Sequence, residues 1–291
     1  MADLYASVTQ TILDALERGV VPWRKPWRSF NSLPVNAVSN RPYRGVNAFL
    51  LGITPYTDHR WLTFRQVTEQ GGKVLKGEKA SLAVFWKLWE PNESASKEDD
   101  SEKQRRVPIL RHYHLFNAEQ CDSLQLPELY QPSEAETQKR ILRAEQITSE
   151  MPNPPTISEG GSSAWYRPST DHVQVPKLEA FSSPDSYYAT LFHELGHATG
   201  HQDRLNRKGV TGTIQFGSGD YSQEELVAEL TSAFLCAKAG LNNSLLADSA
   251  SYIDGWLDVL NNDRKAVVYA AAQAQKAADH ITCLLPNSAP V

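Results

Sequence analysis

Cysteine is scarce in this 291-residue chain, which has only Cys121, Cys236 and Cys283. An odd number at long spacings supports neither a disulfide framework nor a cysteine zinc cage, so a reducing cytosol is the expected setting. Long apolar runs are missing too. Stretches such as Leu82-Ala83-Val84-Phe85-Trp86 fall far short of the ~20 residues a membrane helix needs. The N-terminus has no basic region followed by an apolar one, so neither a membrane span nor a secretory signal is expected. No zinc finger and no basic recognition helix occurs, which argues against sequence-specific reading of duplex DNA. What is present, 41% hydrophobic and 22% charged residues, suffices for a globular protein with a sizeable core.

The net charge of −5 conceals an asymmetry. Residues 1–90 hold 12 Lys/Arg against 7 Asp/Glu, a balance of +5, which leaves 17 against 27, or −10, for residues 91–291. Tryptophan is skewed the same way, with Trp23, Trp27, Trp61, Trp86 and Trp89 all in the basic part. Two modules with different partners are implied.

Leu4, Val8, Ile12 and Leu16 recur at helical spacing before Gly19, which predicts a helix over 3–18. Trp23-Arg24-Lys25-Pro26-Trp27-Arg28 has neither helical nor strand period and reads as an irregular, partly exposed loop. A short helix is expected around 46–53, and another near 64–70 capped by Thr63. Strand-like runs over 81–88 and 107–116 flank a polar stretch, 91–106, read as a solvated insertion between paired strands. Pro127 to Pro132 resembles a domain boundary, Ser133 to Glu136 a capping box opening a helix that ends near Pro152, and Pro152 to Gly161 an extended loop. Ala164 to Val175, broken by Pro168, suggests a hairpin or curled edge strand. The expected fold is α+β with two domains, 1–127 and 128–291.

The strongest signal follows. Ser183-Pro184-Asp185 is a helix start, and the helix continues into His193-Glu194-Leu195-Gly196-His197. Histidines four apart lie about 40° apart around a helix and can share a tetrahedral ion. Glu194, next to the first of them, then reaches a bound water rather than the metal, the arrangement of a zinc peptidase. A third protein ligand is needed. The segment Ser222 to Cys236 reads as a helix in which Glu224 and Glu225 occupy the first turn, where capping and the helix dipole account for them. Glu229 sits inside that helix among Val, Ala and Leu, where a carboxylate is costly unless paired or metal-bound, so it is the favoured ligand over Glu225 and His201. His201 lies roughly 80° from His193 and directly after Gly200. Tyr221, just before this segment, is a candidate for stabilising an oxyanion.

The chain resembles the ArdC family of plasmid antirestriction proteins over nearly its whole length. In front the resemblance rests on Pro22-Trp23-Arg24-Lys25-Pro26-Trp27, Tyr43-Arg44-Gly45-Val46-Asn47, Arg60-Trp61-Leu62-Thr63-Phe64 and Gly71 to Glu78. Behind, it rests on Tyr188 to His201, Arg204-Leu205-Asn206-Arg207 and Glu224 to Leu230. It implies a single-stranded-DNA-binding domain, also found at the front of conjugative primases, joined to a zincin-like metallopeptidase domain, in proteins that protect incoming plasmid DNA from host restriction during conjugation. It also implies metal ligands at His193, His197 and Glu229 and a catalytic carboxylate at Glu194.

Single-strand binders combine a basic groove with rings on which bases stack. Trp23, Arg24, Lys25, Trp27, Arg28, Tyr43, Arg44, Lys73 and Lys76 have that composition, whereas Trp61, Trp86 and Trp89, within regular segments, read as core anchors. The expected partners are single-stranded DNA and a protein substrate linked to host restriction. The expected cofactor is one divalent ion, Zn²⁺ ahead of Mn²⁺ or Co²⁺, since a site of two His and one Glu with open positions accepts several. A binding protein that shields DNA sterically, its metal purely structural, is the rival reading. Such a protein has no use for Glu194.

Overall fold

Asp3 opens helix α1 (Leu4–Glu17) by accepting from the backbone N–H of Tyr5 at 3.1 Å, and the helix buries Val8, Ile12, Leu13 and Leu16. The structure, a computed structural model, describes residues 3–23, 33–89, 107–128, 133, 139–212, 219–242 and 250–283, without the side chains of 86–89, 107–109, 219–221 and 250–253. The insertion over 91–106, the capping segment 134–136, and Arg24, Lys25, Trp27 and Arg28 therefore lie outside the described residues.

The front half is built on a four-stranded sheet in the order β1-β2-β5-β4. Strand β1 (Val35–Asn36) runs parallel to β2 (Arg60–Thr63), with Val35 opposite Arg60. Strand β2 is antiparallel to β5 (Val107–Asn117), Trp61 facing Asn117, and β5 forms a long ladder with β4 (Ser81–Trp89), Ser81 facing Leu115. Helix α2 (Val46–Gly52) lies along the outer edge of β4. There Asn47 donates to the carbonyl of Val84 at 2.7 Å and accepts its N–H at 2.8 Å, so one amide satisfies backbone that an edge strand otherwise leaves bare. Thr63 caps α3 (Phe64–Glu69) in a reciprocal box with Gln66. A short ribbon, β3 (Lys73–Val74) with β6 (Cys121–Asp122), completes this half.

Helix α4 (Arg140–Ser149) leads into the back half. Its sheet has the order β7-β9-β8, from β7 (Thr156–Glu159), β8 (Trp165–Arg167) and β9 (His172–Val175). Strands β8 and β9 form the hairpin expected around Pro168, while β7 replaces part of the expected loop by pairing in parallel with β9. Helix α5 (Pro184–Ala198) packs against this sheet on one side and against the long α7 (Gly219–Ala239) on the other, with the single turn α6 (Lys208–Thr211) between them in sequence. Helices α8 (Ala250–Asn262) and α9 (Ala266–Ile281) finish the chain.

One buried cluster runs through both halves, from Val8, Trp23 and Phe49 to Phe234, Trp256 and Ala271. Thr9 Oγ1 donates to the Arg264 carbonyl at 2.7 Å, and Phe49 meets Phe234 with ring centroids 4.9 Å apart. Trp23, expected in an exposed loop as a stacking ring, is instead 0% exposed, edge-on to Trp256 at 5.1 Å and to Phe49 at 6.4 Å. The prolines and cations that follow it describe the backbone of the segment. They carry no information on where one large apolar ring finds burial, and hydrophobic transfer decides that.

Candidate metal centre

Ser183 accepts from the Ser186 N–H at 3.2 Å, Pro184 takes the first helical position, and α5 carries His193 and His197 onto the face it turns to α7. The helices come close because residue 196 is glycine. A Cβ there would sit 3.1 Å from the Ala228 Cα and 3.2 Å from the Thr231 Cβ.

The two Nε2 atoms stand 3.2 Å apart, and Glu225 reaches both from α7, Oε2 at 3.5 Å from His193 Nε2 and Oε1 at 3.6 Å from His197 Nε2. One donor atom from each of His193, His197 and Glu225 lies within 4.8 Å of the others, which makes them the metal-competent group among the described residues. Tetrahedral nitrogens at about 2.0–2.1 Å from a zinc ion stand about 3.3 Å from one another, so this triangle has the right size for one ion.

Glu229 is placed differently from the expectation that made it the third ligand. Its Oε1 lies 3.7 Å from Nδ1 of His193, on the edge of the ring turned away from the triangle. Glu224 does the same for His197, Oε1 to Nδ1 at 3.5 Å. Carboxylates on Nδ1 keep the proton there and leave Nε2 free to bind. The helix explains the error, because α7 begins at Gly219 rather than at Ser222. Glu224 and Glu225 are therefore not capping residues. Glu225 and Glu229, one turn apart on a single face, straddle His193.

Burial works against a charged His197, but Glu224 and Glu225 outweigh it and push the imidazole up to about 10. Glu225 is held well below the carboxylate range, burial being overcome by His193 and His197. Glu194, 8% exposed, is pushed up by burial, moderated by the two histidines and by the Tyr166 backbone N–H that donates to it. A raised carboxyl beside the triangle suits a group that must take and return a proton.

Two arginines that sequence reasoning credited with no chemistry brace this arrangement. Arg207, buried, donates to Glu224 Oε2 at 3.0 Å and to the Gly196 carbonyl at 2.8 Å. Arg204 donates to the Ala198 carbonyl at 2.7 Å and to Asp171, which also accepts from the Tyr166 hydroxyl at 2.9 Å. Strand β8 is thereby tied to the end of the histidine helix. The sequence marks both arginines only as part of one block that carries the family resemblance. Beyond the helix end, His201 faces Asp203 at 3.5 Å and takes no part in the triangle. The side chain of Tyr221 lies outside the described residues.

Comparison with known proteins agrees with this architecture. Residues 142–273 match the zincin-like metallopeptidase family, and residues 2–116 match the N-terminal domain of anti-restriction factor ArdC. The metal-free crystal structure of the antirestriction ArdC protein from the R388 plasmid superposes with a TM-score of 0.74 at 33% identity, covering 96% of both chains. The chain belongs to the ArdC antirestriction family. The Mn(II)-bound structure of the same R388 protein gives a TM-score of 0.72, covering 98% of this chain and 99% of that one. An uncharacterized Sinorhizobium fredii protein, y4eC, is 40% identical over 95% of this chain and 91% of its own length. An Escherichia coli DNA primase TraC is 35% identical over 94% of this chain, which spans only 19% of the primase.

Of the nine residues expected to touch DNA, Trp23, Tyr43, Arg44, Lys73 and Lys76 are described, and they differ in setting. Trp23 is buried. Arg44 is paired with Asp279 of α9, and Tyr43 accepts from Asn36 Nδ2 at 3.5 Å beside a small cluster of Leu51, Trp61, Ala83 and Leu115. Lys73 is exposed 3.8 Å from Asp122, and Lys76 is exposed beyond it. Among the described residues no helix is long and apolar enough to cross a membrane.

Proposed function

We propose that this chain is a cytoplasmic antirestriction protein that binds single-stranded DNA through its front part, up to about residue 127, and carries a metal-dependent peptidase centre behind. In this reading it protects incoming plasmid DNA during conjugation, and its peptidase substrate is a host protein linked to restriction. One observation carries the catalytic half: Glu194 is buried and raised beside a triangle of His193, His197 and Glu225 sized for one divalent ion. A purely structural metal needs the triangle and has no use for that carboxyl.

These three residues would hold the ion, Zn²⁺ first and Mn²⁺ or Co²⁺ as alternatives, with Glu224 and Glu229 fixing the rings. Such an ion polarises a water and a peptide carbonyl. Glu194 takes the proton from the attacking water and delivers it to the leaving amine. The Tyr166 N–H orients that carboxylate, and Arg204 and Asp171 hold β8 in place. The name of the similar E. coli primases supports a DNA-associated front part.

The test is restriction protection of a transferred plasmid by wild type and Glu194→Gln at matched expression. Loss of protection with the metal retained supports catalysis; full protection by Glu194→Gln removes the peptidase half and leaves steric shielding.

A further inference from the structure

The β4–β5 ribbon carries a second feature, remote in sequence from the metal centre. Along an antiparallel ladder, paired residues and residues two apart share a face. The register pairs Ala83 with Tyr113 and Phe85 with Arg111, so these four lie on the face that also carries Leu115. Ala83 and Leu115 are buried against Leu51 and Trp61. Further along, the same face emerges into solvent. There the Phe85 and Tyr113 rings stack with centroids 4.4 Å apart and planes 13° apart, Tyr113 is 42% exposed, and Arg111 is exposed opposite Phe85. In a chain with 34 Asp and Glu, neither 81–89 nor 107–117 contains one, while Lys87 and Arg111 occur.

A stacked pair with an exposed tyrosine ring and an exposed arginine on the same face is what an unpaired base and its phosphate require, a flat π surface that extends the stack and a positive charge beside it. Duplex DNA keeps its base faces internal and cannot use such a ring. We propose that Tyr113, backed by Phe85 and accompanied by Arg111, is the base-stacking platform for single-stranded DNA, in place of the buried Trp23. This rests on the single-strand binding proposed above and gives it an address.

The probe is a fluorescein-labelled oligothymidylate, titrated by anisotropy with the full chain across a range of salt, each variant being first checked by its melting temperature. Tyr113→Ala and the bulk-preserving Tyr113→Leu should weaken binding roughly 5- to 100-fold, and Tyr113→Phe should keep it, since the ring rather than the hydroxyl is needed. Arg111→Gln should lower the salt slope by about 0.7. Phe64, 63% exposed and packed on Phe116, whose side chain belongs to the opposite face, is the comparator, and Phe64→Ala should change nothing. A folded Tyr113→Leu chain with wild-type affinity overturns the platform, as does an equal loss in Phe64→Ala or a loss in Tyr113→Phe. If the wild-type chain itself fails to bind the oligonucleotide at low salt, single-strand binding falls, and the platform with it.

Discussion

His193 lies between two carboxylates one helical turn apart on α7, Glu225 at 3.5 Å from its Nε2 and Glu229 at 3.7 Å from its Nδ1. The two acids thus have different chemistry although the same helix presents both. One shares the ion-binding edge of the ring, and the other faces the opposite edge.

The first prediction separates them. Glu229→Gln should lower divalent-ion affinity roughly 10- to 100-fold, the usual effect of removing a carboxylate behind a liganding histidine. Glu225→Gln should lower it further. Calorimetric titration with Mn²⁺ and Zn²⁺ decides between them; the reverse order would return the ligand role to Glu229.

The second concerns pH. In the metal-free protein His197 is raised from 6.5 to about 10, so the stability it contributes is fully present below 6.5 and is lost as pH rises through 10. The depressed Glu225 has the opposite sign, since its contribution is present above its ordinary value of 4.5 and is lost as pH falls below it. The ion needs His197 neutral, so binding at pH 7 releases a proton and tightens as pH rises. The gap in melting temperature between Zn²⁺-loaded and EDTA-treated protein should widen from pH 6 to pH 8. A constant gap would show that His197 is already neutral without metal.

Much of this site was legible in the sequence because its signals are local. Ser183 and Pro184 start the histidine helix, Thr63 with Gln66 starts α3, and the spacing of His193 and His197 needs no tertiary information. The third carboxylate was not local. Glu225 and Glu229 have side chains only 13% and 8% exposed, so burial cost could not rank them. What ranks them is the rotation of α7 against α5, set by packing at Gly196, and a helix that begins at Gly219, ahead of the start expected at Ser222. Strand β7 escaped for a similar reason, because the prolines before it mark a loop whereas its pairing with β9 is long-range.

Gly196→Ala gives the third prediction. In a helix interior alanine gains about 1 kcal/mol over glycine, but its Cβ would press on Ala228 at 3.1 Å, a backbone atom that cannot rotate away. Overpacking of this kind costs about 1–3 kcal/mol, so the net effect should be destabilising. The same displacement moves Glu225 from the histidines, so metal affinity should fall along with the urea midpoint. A higher midpoint with unchanged affinity would show that the helices yield without cost.

The last prediction concerns Trp23. Its ring is fully buried between Phe49 of α2 and Trp256 of α8, so it joins the front and back halves through one contact cluster. Trp23→Ala removes a large apolar volume from a site that rigid neighbours cannot collapse to fill, a loss of about 3–5 kcal/mol. Trp23→Phe keeps an edge-on aromatic contact and should recover a large part of it. Neither change touches the exposed face of the β4–β5 ribbon, so oligothymidylate affinity per folded molecule should stay at the wild-type value, provided the titration is run well below the lowered melting temperature. If Trp23 were instead a stacking ring, the pattern would reverse, with a melting temperature close to wild type and affinity reduced. Measuring both quantities on the same two variants, by thermal melting and by anisotropy, distinguishes a core anchor from a DNA contact.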